Sequence, residues 1–593
     1  MREFAVWAPD AVRVDLEVDG ERIALTPPTP PSGVRGWWHD SGRRPRPGER
    51  YGFAIDGGPV RPDPRSASQP DGVDGRSEVI DHESFAWRDD EWRGVSLRGA
   101  VLYELHVGTF TPDGTFAAVI ERLDHLVALG VDAIELMPVV EFAGSRGWGY
   151  DGVDLYAPHH DYGGPDGLKR LVDACHVRNL GVVVDVVYNH LGPAGNYLAE
   201  FGPYFSDQHQ TNWGAALNFD GAGSDDVRRF VIDNALMWLR DYHVDGLRLD
   251  AVHAIVDDSA LNLLEALALE VDALATATGR PLFLVAESDR NDPRLVRSRD
   301  AGGYGLDAAW ADEWHHALHS ALTGEQSGYY EDFGSIALLA KALRQAWVYD
   351  GTWSPHRQRR HGRATTGLAG NQFVVCTQNH DQVGNRAIGE RLDMLTTDGR
   401  ARVAAALLLT SPFVPMLFEG EEWAASTPFQ YFTDHDAELG RAVSEGRCRE
   451  FAAFGWSPED VPDPQARETF LVSKLDWKEL DRAPHRSMLS WYAALIALRR
   501  RHPELSDPRL DRITVDTDVD GQPATLVVHR GALRVLVNLG VATARFPCGA
   551  STAFLAGSHR NVQQTRDAMV VPADAVAIVR DSDPAEGEDI DRG

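Results

Sequence analysis

Short apolar runs recur through the middle of the chain, and each stops at a turn or a helix. They cover residues 101–107, 133–137, 182–188, 246–249, 282–286, 305–309, 373–377 and 412–418. Runs this short and this uniformly apolar predict parallel strands buried on both faces. Amphipathic stretches with helical spacing lie between several of them, at 117–129, 168–178 and 227–241. Eight strand–helix alternations predict a closed (β/α)8 TIM barrel rather than an open sheet. Residues 487–501 read as its last helix, ending in Arg499, Arg500 and Arg501, charges suited to a helix C-terminus.

The pattern changes at both ends. Residues 4–7 and 12–18 alternate apolar and polar, as do 524–529 and 533–538. The expected fold is therefore multidomain α/β, a central barrel flanked by an N-terminal and a C-terminal β-sandwich. The boundaries read as 1–90, 91–508 and 509–582, with an acidic, disordered tail at 583–593. The long 189–223 segment is a loop of the kind that builds sites on barrel rims. The basic cluster at 357–363 reads as a solvated loop.

Composition narrows the partners. A formal net charge of −31 over 593 residues disfavours nucleic acid and anionic membrane surfaces. No run reaches the ~20 apolar residues of a membrane helix. The first residues lack the apolar core of a signal peptide, and the four cysteines form no CxxC. A cytoplasmic protein with reduced thiols follows. The aromatic content, with 16 Trp, 15 Tyr and 22 Phe, would also suit a site that stacks sugar rings.

Three carboxylates close or follow apolar runs: Asp250, Glu287 and Asp381. A carboxylate is costly at the mouth of an apolar strand unless it acts there. Together they predict a catalytic cluster on the barrel rim. Arg248 lies two residues before Asp250, hence on the same strand face, and suits an oriented, charged nucleophile. A plain structural ion pair is the alternative. Glu287 ends a wholly apolar run, and burial favours its protonated form, as a general acid needs. His190, His253 and His380 follow strand ends and suit hydroxyl recognition, with no zinc-type spacing among them. Tyr150 and Asp151 sit in a glycine-flanked loop after the second strand.

Four ordered segments make the chain resemble the α-amylase superfamily of retaining α-glucoside enzymes. They are Asp185 to His190, Gly246 to His253, Val285 to Glu287 and Asn379 to Asp381. The resemblance implies Asp250 as nucleophile, Glu287 as acid/base and Asp381 as a carboxylate binding sugar hydroxyls. It implies that Arg248, His190, His380 and Tyr150 line the subsite holding the attacked sugar. Segments 135–142, 146–153, 188–198, 201–205 and 379–386 resemble the branch that cuts maltooligosyltrehalose beside its terminal trehalose. Glycogen branching and debranching enzymes share the same acids and are the alternative, as is a sugar-binding barrel without catalysis. A maltooligosyltrehalose or other α-glucan oligosaccharide is the implied partner. Asp151, His253, Trp314 and His316 are further substrate-binding candidates, and Trp310, Trp314 and His316 a grip on the trehalose side. Trp314 stands where the family pattern has Phe. Asn189 occupies the place of a calcium ligand in some relatives, but no Asp-rich calcium loop accompanies it, so no metal and no organic cofactor are expected.

Overall fold

A computed structural model describes residues 3–27, 36–40, 42–211, 213–452 and 457–581. The acidic tail lies outside the described residues. Eight parallel strands close into a barrel: β1 Leu102–Leu105, β2 Ala133–Leu136, β3 Gly181–Val186, β4 Gly246–Leu249, β5 Phe283–Ala286, β6 Ala308–Trp310, β7 Phe373–Cys376 and β8 Val414–Phe418. β8 closes on β1, pairing Phe418 with Glu104. Every strand predicted from an apolar run is present.

Inward and outward positions alternate. Leu102, Ala133, Val183, Phe283, Val285, Ala308, Trp310, Val374, Cys376, Val414 and Met416 form one buried cluster, the filling of the barrel. Gly246 leaves room for it, since a Cβ there would stand 2.3 Å from the Phe283 ring. Parity then dictates what comes next along each strand. Glu104, Glu135, Asp185 and Arg248 are the following inward positions on β1 to β4; Glu104 is level with Glu135 and Asp185 with Arg248, the second pair standing two residues higher because Glu135 is in register with Val183. The apolar filling thus gives way to a charged layer just below the rim.

The helices differ from expectation at their ends. The 117–129 stretch forms two helices, Phe116–Ile120 and Leu123–Leu129, because the Arg122 N–H bonds back to Val119 and tightens the chain there. The last helix begins earlier, at Ala483, with Pro484 in its first turn, where a missing N–H costs nothing. The 189–223 segment carries a short helix, Leu198–Phe201, and a hairpin, Phe205–Thr211 with Gly214–Leu217. The basic 357–363 cluster is not a plain solvated loop. It turns and forms one arm of a second hairpin, Asp350–Ser354 with Arg359–Gly362, and Arg357 pairs with Asp289 at 2.9 Å.

Antiparallel sheets lie at both ends. Near the N-terminus, Val14–Val18 pairs with Glu21–Ala24 and Arg50–Ile55. The C-terminal part stacks a five-stranded sheet on a three-stranded one around Leu536, Phe546, Met569 and Ala577. These sheets and the barrel give the predicted multidomain class.

Candidate active site

Arg248 is the hub of the rim. It is fully buried, and its Nη1 donates to Asp185 Oδ2 at 2.7 Å and Asp250 Oδ1 at 2.9 Å. Its Nη2 lies 3.7 Å from Glu287 Oε2. Its guanidinium rests 4.2 Å above the Trp310 ring. One cation therefore ties together carboxylates from the ends of β3, β4 and β5.

The two central carboxylates differ in their surroundings. Both oxygens of Asp250 accept hydrogen bonds, Oδ1 from Arg248 and Oδ2 from Asn189 Nδ2 at 2.7 Å. Asn189 Nδ2 also reaches the Asp250 carbonyl at 3.0 Å. Glu287 accepts the backbone N–H of Ala251. Ala251 has φ +39°, a left-handed conformation rare for a residue with a Cβ. Burial, opposed by Arg248 and assisted by repulsion from Asp250, pushes the Glu287 carboxyl well above the usual range.

A hydrogen-bond chain closes the opposite side. Tyr150 Oη donates to Asp185 Oδ2 at 2.6 Å and lies 2.7 Å from His380 Nε2. Gly149 sets Tyr150 in place: at φ +95° a Cβ would stand 2.3 Å from the Pro138 carbonyl. His380 Nε2 lies 3.5 Å from Asp381 Oδ2, and the Asp381 carboxylate is the most open of the three. His380 Nδ1 faces Glu104 at 2.5 Å. Burial pulls the His380 pKa down, but Asp381 and Glu104 outweigh it and raise it to about 9. Burial lifts Asp185 to about 6 against the pull of Arg248, and burial with repulsion from Asp381 lifts Asp312 to about 7.

The remaining predicted residues divide. His190 bonds to Asn189 and stacks at 5.3 Å on Trp213, which is half exposed on the 205–217 hairpin. Asp151 lies 3.4 Å from His435, and burial raises its pKa. His253 is half-buried, and burial lowers its pKa. His316 is half-buried and packs on Tyr329 at 4.9 Å. Trp314 must be corrected: it is wholly buried in the hydrophobic core and presents no surface to a ligand. Trp310 is likewise a buried floor beneath Arg248 rather than a grip.

Sequence reasoning did not single out Glu104, Asp185, Asp312 or Trp213. The first two were detectable as lone carboxylates inside apolar runs at inward parity. Among the described residues, one group, Glu141, His159 and His160, brings three ligand-type atoms within 4.8 Å of one another. Glu141 Oε1 faces both histidine Nδ1 atoms and Oε2 accepts the His160 N–H, so hydrogen bonds hold this group together.

Known proteins share this architecture. The family described as alpha amylase, catalytic domain, matches residues 68–216. A malto-oligosyltrehalose trehalohydrolase of Arthrobacter ramosus is 53% identical over 544 residues, covering 91% of this chain and 93% of that one. One from Mycobacterium tuberculosis is 51% identical over 547 residues, covering 91% and 93%. The crystal structure of a putative alpha amylase from Salmonella typhimurium superposes with a TM-score of 0.88 at 39% identity, covering 98% of this chain and 97% of that one. The chain belongs to the malto-oligosyltrehalose trehalohydrolase family, glycoside hydrolases of the α-amylase type.

Proposed function

We propose that this cleft cuts the α-1,4-glucosidic bond next to the terminal trehalose of a maltooligosyltrehalose, releasing trehalose and a maltooligosaccharide. The observation that carries the chemistry is the single guanidinium of Arg248, which touches both Asp250 and Glu287. Two carboxylates gathered on one guanidinium fit the nucleophile and acid/base pair that a double displacement uses, which stand about 5 Å apart.

Asp250 attacks the anomeric carbon while Glu287, kept protonated by burial, gives its proton to the leaving glycosidic oxygen. Trehalose departs and leaves a glycosyl ester on Asp250. Glu287, now a carboxylate, takes a proton from water, whose oxygen attacks the same carbon and frees Asp250. Two inversions give net retention. Asp381, His380 and Tyr150 face the sugar hydroxyls in this reading. Trp213, half exposed beside His190, offers a ring face for stacking. We place the reaction in the cytoplasm. Among the described residues no helix is long and apolar enough to cross a membrane.

Branching and debranching enzymes use the same acids, so the products decide. Purified protein given maltotriosyltrehalose, maltopentaose and glycogen in parallel should release trehalose and maltotriose from the first and leave the others nearly untouched. Chain transfer, or cleavage at branches, would overturn the assignment.

A further inference from the structure

We propose that Glu104, on β1, is a positioning residue for this reaction: its carboxylate takes both the backbone N–H and the Nδ1–H of His380 and so aims the ring's Nε2–H at the mouth between Tyr150 and Asp381. The idea rests on the reading of the cleft as an α-glucan site.

The hydrogens available along the chain of contacts fix the state of the His380 ring. Tyr150 has one O–H, and it points to Asp185 Oδ2 at 2.6 Å. That same Asp185 oxygen accepts Arg248 Nη1–H at 2.7 Å, so it serves as an acceptor. The Tyr150 oxygen must then accept from His380 Nε2, 2.7 Å away, and Nε2 carries a hydrogen. On the other side Glu104 Oε2 accepts the His380 backbone N–H at 3.0 Å, and Oε1 faces Nδ1 at 2.5 Å. A carboxylate accepting at both oxygens leaves the hydrogen on Nδ1 as well. His380 is thus an imidazolium, buried at 1% exposure.

The charged and titratable groups around it fit that state. Glu104 and Asp381 favour the cation, and Arg248 opposes it. Glu135, Asp312 and His106 also feel its charge. Trp148 stands edge-on at 5.5 Å and Trp310 at 6.1 Å, so the ring has little room to turn. A sugar hydroxyl arriving between Tyr150 and Asp381 would share the Nε2–H now given to Tyr150, from a ring held in one orientation and beside the Asp381 carboxylate acceptor.

Glu104→Gln keeps the shape and removes the charge. Trehalose release from maltotriosyltrehalose would be followed from about pH 5 to about pH 10 for the parent, Glu104→Gln, His380→Asn and the double variant. Selective 15N-histidine NMR would report the His380 ring, its signal assigned by its loss in His380→Asn. In the parent, both ring nitrogens should be protonated at pH 7. In Glu104→Gln the ring should deprotonate about one pH unit lower or more. kcat should fall on the order of tenfold or more, KM should change less, and the double variant should be no worse than His380→Asn alone. A neutral His380 ring in the parent at pH 7 would overturn the proposal, as would an unchanged titration in a folded Glu104→Gln. A merely structural Glu104 would lower the melting temperature without moving that titration. Should Glu104→Gln not fold, the parent's ring signal decides alone. A parent that releases no trehalose would sink the functional reading instead, while the NMR result would still judge Glu104.

Discussion

The backbone N–H of Ala251 donates to the carboxylate of Glu287. Ala251 follows Asp250 directly and holds φ +39° to make this contact. One turn of chain therefore fixes the residue read as nucleophile and orients the residue read as acid. A left-handed alanine costs on the order of 1 kcal/mol or more, which the surrounding barrel must hold in place. The strain lies where two carboxylates have to be placed relative to each other.

Asp250→Asn keeps the hydrogen bond to Arg248 as far as shape allows but removes the attacking oxygen's charge. Turnover of maltotriosyltrehalose should fall by about 10⁴-fold or more, with the fold intact by circular dichroism. Near-normal turnover in this variant would refute the nucleophile assignment.

Glu287 sits above the usual carboxyl range because of burial. A raised value means the proton is present at low pH and lost as pH rises through it. The alkaline limb of kcat should therefore report Glu287 losing the proton it has to donate. Glu287→Gln should abolish that limb along with most activity, on the order of a hundredfold or more. A limb that survives in the residual activity would assign it to another group.

Asp312 has a folded pKa of about 7, raised by burial and by Asp381. The folded state holds this proton more tightly than the unfolded chain, so stability from this group is present below about pH 4 and is lost as pH rises towards 7. Asp312→Asn should raise the melting temperature at pH 8, by the equivalent of about 1–2 kcal/mol, and change it little at pH 4. An equal gain at both pH values would contradict the linkage.

Trp314→Phe separates grip from core. The side chain is wholly buried. The substitution should cost about 1–3 kcal/mol of stability and leave KM and the product pattern unchanged. A several-fold rise in KM for trehalose-capped substrate, with melting unaffected, would restore Trp314 to the binding surface.

Much of the site was legible because strands hide carboxylates poorly. Asp250, Glu287 and Arg248 stand out against apolar runs, and the period of two puts 248 and 250 on one face. Glu104 and Asp185 obey the same parity, but lie within their runs rather than at the ends, where attention falls. Trp314 misleads for a helical reason. It belongs to the helix Asp312–Thr323, where Asp312 and His316 share a face and the residue midway between them points elsewhere. The 350–362 hairpin is illegible because its strands are polar and arginine-rich, and pairing rather than burial defines them.

The hairpin that carries Trp213 and the one that carries Arg357 are both insertions between barrel strands, whereas Asp250 and Glu287 are anchored to the strands themselves. Natural variation can then act on the two layers separately. On the proposed reading, exchanging or lengthening the hairpins should change which glucan end is accepted and leave Asp250 and Glu287 where the barrel strands hold them.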